Sequence, residues 1–191
     1  MVALLELEDE RSRVRLVPDL GGAIADMDAK LSGRLAPVLR RWDGPQTGWI
    51  GVGSNILVPF SNRISGGGFY FDQGGSATFH PLHPNVENLD PFPLHGDGLL
   101  KSWQVVSHSS TDVILRLVNG EIGDFLYTAE VRYLLSSGTL NITLRVTNKG
   151  IRLPFGGGFH PWLPRYSDTR LQFNAEAVWL EDNLHLPTEK I

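Results

Sequence analysis

The stretch "TLNITLRVT", residues 139–147, decides the fold. Leu140, Ile142, Leu144 and Val146 fall on one face, and Asn141, Thr143 and Arg145 on the other. That two-residue period marks a half-buried strand. "FLYTAEVRYLL" (125–135) precedes it, and "SSGT" between them supplies turn residues. Residues 125–147 therefore read as a β-hairpin. "SWQVVSH" and "DVILRLV" frame a second hairpin over 102–118, and "GFYFD" and "ATF" around "QGGS" a third. "RVRLV" near the start and "RLQFNAEAVWL" near the end add further strands. Twenty-one glycines and 12 prolines, spread over the whole length, leave little room for long helices. The expectation is an all-β, antiparallel sandwich or barrel. With 191 residues, no internal repeat and no linker, it reads as one domain, 1–191.

Composition narrows the function. The net charge is -4 with no basic stripe, which argues against nucleic acid or an anionic membrane as partner. The absence of cysteine excludes disulfides, thiolate metal sites and a cysteine nucleophile. "MVALLELEDERSR" is too short in its apolar run for a signal peptide, and no stretch nears the ~20 apolar residues of a membrane span. These features predict a soluble, cytoplasmic protein.

Three segments break the strand pattern and carry the chemistry: "VPFSNRISGGG" (58–68), "FHPLHPNVENLDPFPLHGDG" (79–98) and "LPFGGGFHPW" (153–162). Loops on a rigid β scaffold are where binding groups concentrate. His80, His83, Glu87 and His95 suggest a metal site, but His80 and His83 are three apart, the wrong parity for one face of a strand. Pro81 and Pro84 block a helix. Both histidines are expected in solvent, and no metal or cofactor is expected. "SGGG" lacks the Lys-Ser/Thr of a phosphate loop. No G-x-S-x-G elbow supports a serine hydrolase. Glu87, Asp90, Asp97, Glu121 and Asp124 show no glycosidase-type pairing, and most of them read as solvated turn acids.

His95 in "PLHGDG" precedes a glycine that lets the backbone turn at once, and reads equally as a site residue or as a histidine satisfied by local backbone. Arg63, after Asn62, is flanked by apolar runs and is expected to point into a cleft. His160 is the strongest single candidate: glycines before it clear space for a ligand, and Trp162 offers a flat apolar face suited to a sugar. The competing reading is an aromatic core cluster.

"PFSNRISGGGFYFD", "PLHGDGLLKSWQV" and "LPFGGGFHPWLPR", in this order, resemble the aldose 1-epimerase (galactose mutarotase) family. "LVPDLGGAIADMDAKLSGRLAPVLRRW" resembles its N-terminal strands, and "VWLEDNLHLPTEK" the segment after its second histidine. The resemblance implies a large antiparallel β-sandwich with a sugar cleft, interconverting α and β anomers of an aldohexose by acid–base ring opening and closure. His160 matches the general acid. His95 matches the histidine that binds the sugar and stabilises charge at the ring oxygen. Asn62 and Arg63 match the substrate-binding pair, and Trp162 belongs to the sugar wall. The family's general base is a glutamate near its C-terminus. Glu181, Asp182 and Glu189 lie too early to match it, so the chain is expected to be either the family's N-terminal portion or a shortened relative without the base, with sheet edges open to self-association. Two alternatives stand beside this reading: a non-catalytic carbohydrate-binding sandwich, and a hexose-phosphate epimerase.

Overall fold

A computed structural model describes residues 3–72, 74–86 and 89–191. The strands are β1 (Leu5–Glu8), β2 (Ser12–Val17), β3 (Ala23–Leu31), β4 (Arg34–Pro37), β5 (Ser54–Leu57), β6 (Gly68–Asp72), β7 (Ala77–Pro81), β8 (Gln104–His108), β9 (Asp112–Ile122), β10 (Phe125–Ser136), β11 (Thr139–Asn148), β12 (Gly158–Pro161), β13 (Trp179–Glu181) and β14 (Pro187–Lys190). Among the described residues the helical content is two short 3-10 turns, Pro45–Ile50 and Gly98–Leu100. One sheet runs β1-β2-β3-β5-β12, with β4 also paired to β3. The second runs β11-β10-β9-β8, and β6–β7 and β13–β14 form two-stranded ribbons. The fold is an antiparallel β-sandwich, as the sequence predicts.

Alternation builds the core. Along β10, Phe125, Tyr127, Ala129, Val131, Tyr133 and Leu135 are buried, while Leu126, Arg132 and Ser136 face out. Val113, Leu115 and Leu117 of β9 join them, and Val14, Leu16, Ile24 and Ile56 of the first sheet belong to the same cluster. Each fully buried Val or Leu contributes about 1.5–3 kcal/mol. Two tyrosines reach outside their own sheet. The Tyr133 hydroxyl donates to the Gly22 carbonyl at 2.8 Å. The Tyr127 hydroxyl donates to Asp97 at 2.6 Å and lies 3.2 Å from the Val58 carbonyl. Burial pushes both phenols well above their ordinary range, so both remain donors.

The three predicted hairpins form as β10–β11, β8–β9 and β6–β7. Ser137 and Gly138, both at positive φ, make the β10–β11 turn. The strand expected over 170–180 forms only at its end, in β13. Val178 extends that ribbon by exchanging backbone hydrogen bonds with Ile191, but residues 170–177 pair with no strand, and Leu171 and Phe173 are exposed. An apolar-polar alternation becomes a strand only beside an edge that takes its backbone N–H and C=O groups.

Candidate active site

β5 is buried along its whole length and fixes β12 beside it, with His160 opposite Asn55 and Phe159 opposite Ile56. His160, expected in a loop, therefore stands on a strand. Alternate strand residues share a face, so Trp162, two residues on, projects with it. The Trp162 backbone N–H donates to the Gly53 carbonyl, and the Arg40 N–H donates to the Trp162 carbonyl, both at 2.8 Å. The His160 and Trp162 rings stack at 4.8 Å between centroids and 19° between planes. The Arg40 guanidinium lies 4.4 Å from the indole centroid, a cation–π contact. The His95 ring meets His160 edge-on, 5.5 Å away.

His95 is locked by its neighbours. Its backbone N–H donates to the Asn62 carbonyl, and the Asn62 N–H donates to His95 Nδ1, each at 3.0 Å. With Nδ1 accepting, the proton sits on Nε2. Burial, and then the neighbouring His160 and Arg63, lower its pKa from 6.5 to about 4. His95 is thus a neutral hydrogen-bond donor at neutral pH. Gly96 follows at φ +71°, and a Cβ there would lie 1.9 Å from the Val58 carbonyl oxygen. Only glycine fits that turn. Asp97 anchors the loop from behind: its buried carboxylate accepts from the Tyr127 hydroxyl, from the Glu121 N–H at 2.9 Å and from Lys101 Nζ at 2.8 Å.

Arg63 points into the cleft as expected, with its Nε donating to Asp90 Oδ2 at 2.6 Å. Asn62 Oδ1 accepts from the Arg63 backbone N–H at 2.9 Å. Together these groups border an open cleft of about 830 Å³. It brings together all five predicted site residues: Asn62, Arg63, His95, His160 and Trp162.

Several expectations change. Asp90 and Asp97 are not solvated turn acids: one holds Arg63, and the other is buried behind His95. His80 is not in solvent. It takes the inward position of β7, with Nδ1 2.8 Å from Asp124 and its ring packed on Phe69. His83 is exposed, as expected. Glu87 lies outside the described residues, and among those described no group of three or more His, Asp or Glu gathers as a metal site. The glycines before His160 do not clear space for its cleft. Gly156, Gly157 and Gly158 border a separate groove with Leu144, Phe155 and Phe159. The sequence reading missed Trp49, Asn55 and the loop Asn183–His185, all of which border the main cleft. Asn55 donates to the Trp49 carbonyl at 3.0 Å, while its buried Oδ1 has no partner.

Fold and cleft together define a β-sandwich with a histidine pair set over a tryptophan in an open surface cleft. The chain belongs to the aldose 1-epimerase family, whose sequence pattern matches residues 3–191. An Escherichia coli K12 protein described as uncharacterised, YphB, is 44% identical over 126 residues, which cover 65% of this chain and 41% of that one. A solved Escherichia coli K12 protein, provisionally described as an aldose 1-epimerase, superposes with a TM-score of 0.88 at 33% identity, over 100% of this chain and 62% of its own. A GalM/aldose epimerase homologue from C. elegans shares the fold at a TM-score of 0.74 and 18% identity, covering 98% of this chain and 60% of its own. The chain thus spans less than two thirds of the length of these relatives.

Proposed function

We propose that the cleft binds an uncharged aldohexose and interconverts its α and β anomers. The observation that carries this reading is the packing of His95 and His160 against each other, with Trp162 stacked beneath, in one cleft. Trp162 gives a sugar ring an apolar platform. His160 serves as the acid that protonates the ring oxygen as the C1–O5 bond opens, and His95, fixed as a neutral Nε2–H donor, stabilises charge on that oxygen. Asn62 and Arg63 bind sugar hydroxyls. Asp90 offsets the Arg63 charge, which favours a neutral sugar over a hexose phosphate. The same proposal includes self-association through free sheet edges and residence in the cytoplasm. No helix among the described residues is long and apolar enough to cross a membrane.

Polarimetry on freshly dissolved α-glucose and α-galactose tests the reading. The protein is expected to speed the approach to anomeric equilibrium, and His160→Ala to lower that rate by about 10²–10⁴ while keeping the β fold. A His160→Ala variant as fast as the parent removes the acid role.

A further inference from the structure

His95 owes its place to a side chain earlier in the same loop segment. Leu94 makes an isolated antiparallel bridge to Arg63. The hydrogen bonds of that bridge come from the neighbouring residues. The Ile64 N–H donates to the Pro93 carbonyl at 3.3 Å, and the His95 N–H to the Asn62 carbonyl at 3.0 Å. In a pair of this kind the bridging residue turns its own N–H and C=O the other way. Among the described residues no strand pairs with Leu94 on that far side.

The carboxamide of Asn85 stands there. Its Oδ1 accepts from the Leu94 N–H at 2.7 Å. Its Nδ2 donates to the Leu94 carbonyl at 3.0 Å and to the Gly96 carbonyl at 2.6 Å. One N–H and two carbonyls around it fix which end is oxygen and which is nitrogen. Leu94 is buried, so its backbone groups need this partner. An aspartate could replace the acceptor but neither donor, and would set a negative charge against two carbonyl oxygens.

Leu94 and Gly96, the two anchor points, flank His95. His95 holds φ +61° and Gly96 φ +71°. A non-glycine residue stays in the left-handed region only where its surroundings impose it. With both flanks pinned, the His95 ring lies where its Nδ1 accepts from the Asn62 N–H at 3.0 Å. That contact leaves the proton on Nε2. We infer that Asn85 is a positioning residue: its carboxamide, bonded to Leu94 and Gly96, holds His95 as the Nε2–H donor of the cleft. The use of that donor on a sugar oxygen rests on the epimerase reading above. Asn85 itself does not border the cleft.

Nitrogen-15 NMR on the 191-residue chain tests this at neutral pH and without sugar, as the parent, as Asn85→Ala and as Asn85→Asp. In the parent, His95 is expected in a single tautomer protonated on Nε2, with the Leu94 amide protected from hydrogen exchange. In both variants the His95 ring nitrogens should move to shifts averaged over the two tautomers. The ring signals of His80, held by Asp124, should stay as in the parent. A merely structural role would lower stability and leave the His95 tautomer of the folded state unchanged. A folded variant whose His95 stays wholly protonated on Nε2 overturns the inference. If neither variant folds, the parent decides: a protected Leu94 amide beside an Nε2-protonated His95 supports it, and a Leu94 amide that exchanges as freely as an exposed one overturns it. These spectra contain no sugar, so they succeed or fail independently of the epimerase reading, which polarimetry on the parent decides.

Discussion

At the scale of single residues the site depends on where an imidazole holds its proton. His95 is the clearest case, because a backbone N–H occupies Nδ1 and burial disfavours the cation. This has a consequence for stability. The unfolded imidazole titrates near 6.5 and the folded one at about 4. Between these values the unfolded chain binds a proton that the folded chain refuses, so stability rises with pH across that window. The contribution is fully present above about 6.5 and is lost as the pH falls through about 4. Urea unfolding of the parent and of His95→Gln at neutral pH and near pH 4.5 measures it. The parent is expected to lose more stability on acidification than the variant. Parallel losses would show that His95 does not hold its depressed pKa. The half-exposed ring makes the effect smaller than the full pKa difference implies.

At the scale of elements, loop 95–98 is positioned by a strand pair it does not belong to. Asp97 joins it to Tyr127 of β10 and Glu121 of β9. Asp97→Ala would remove the acceptor shared by the Tyr127 hydroxyl, the Glu121 N–H and Lys101, leaving the hydroxyl only the longer Val58 carbonyl contact and Lys101 only the Asn119 carbonyl. Removing the acceptor of such partly buried donors costs roughly 1–3 kcal/mol. Asp97→Asn should cost less, because its amide oxygen still accepts from Tyr127. Thermal unfolding of the two variants checks this; equal midpoints for Asp97→Ala and the parent would remove the anchoring role. The hairpins were legible in sequence because alternation and turn residues are local signals: Leu140 to Val146, then "SSGT", fix register without outside help. That Asn62, Arg63, His95, His160 and Trp162 gather at one cleft was legible through motif order. Asp90, Asp97 and His80 were misread because an acid or histidine in a Pro/Gly-rich stretch looks solvated, and its burial depends on residues far along the chain. His185 was missed for a related reason. Nothing local in "EDNLH" places that loop beside the cleft.

At the scale of the molecule, the free edges decide the remaining prediction. β11 and β12 end their sheets, with no strand of the described residues on their outer sides. The apolar face of β11 is only partly buried, although it alternates as β10 does, whose apolar face is buried. Leu144 and Val146 border the groove of about 400 Å³ that also contains Phe155 and Phe159. A long edge strand with apolar neighbours is a template for pairing with another chain, and a lysine on that edge is the usual natural deterrent. The net charge of -4 is too small to keep copies apart at physiological salt, where the Debye length is about 8 Å. Sedimentation velocity over a range of concentrations should therefore show the parent chain associating as concentration rises. Val146→Lys places a charge in the groove and should move the distribution towards monomer without altering anomerisation, since Val146 borders a different groove from His95 and His160. A parent chain that stays monomeric at every concentration, or a Val146→Lys variant that associates as readily, would show that the β11 face does not mediate contact between copies.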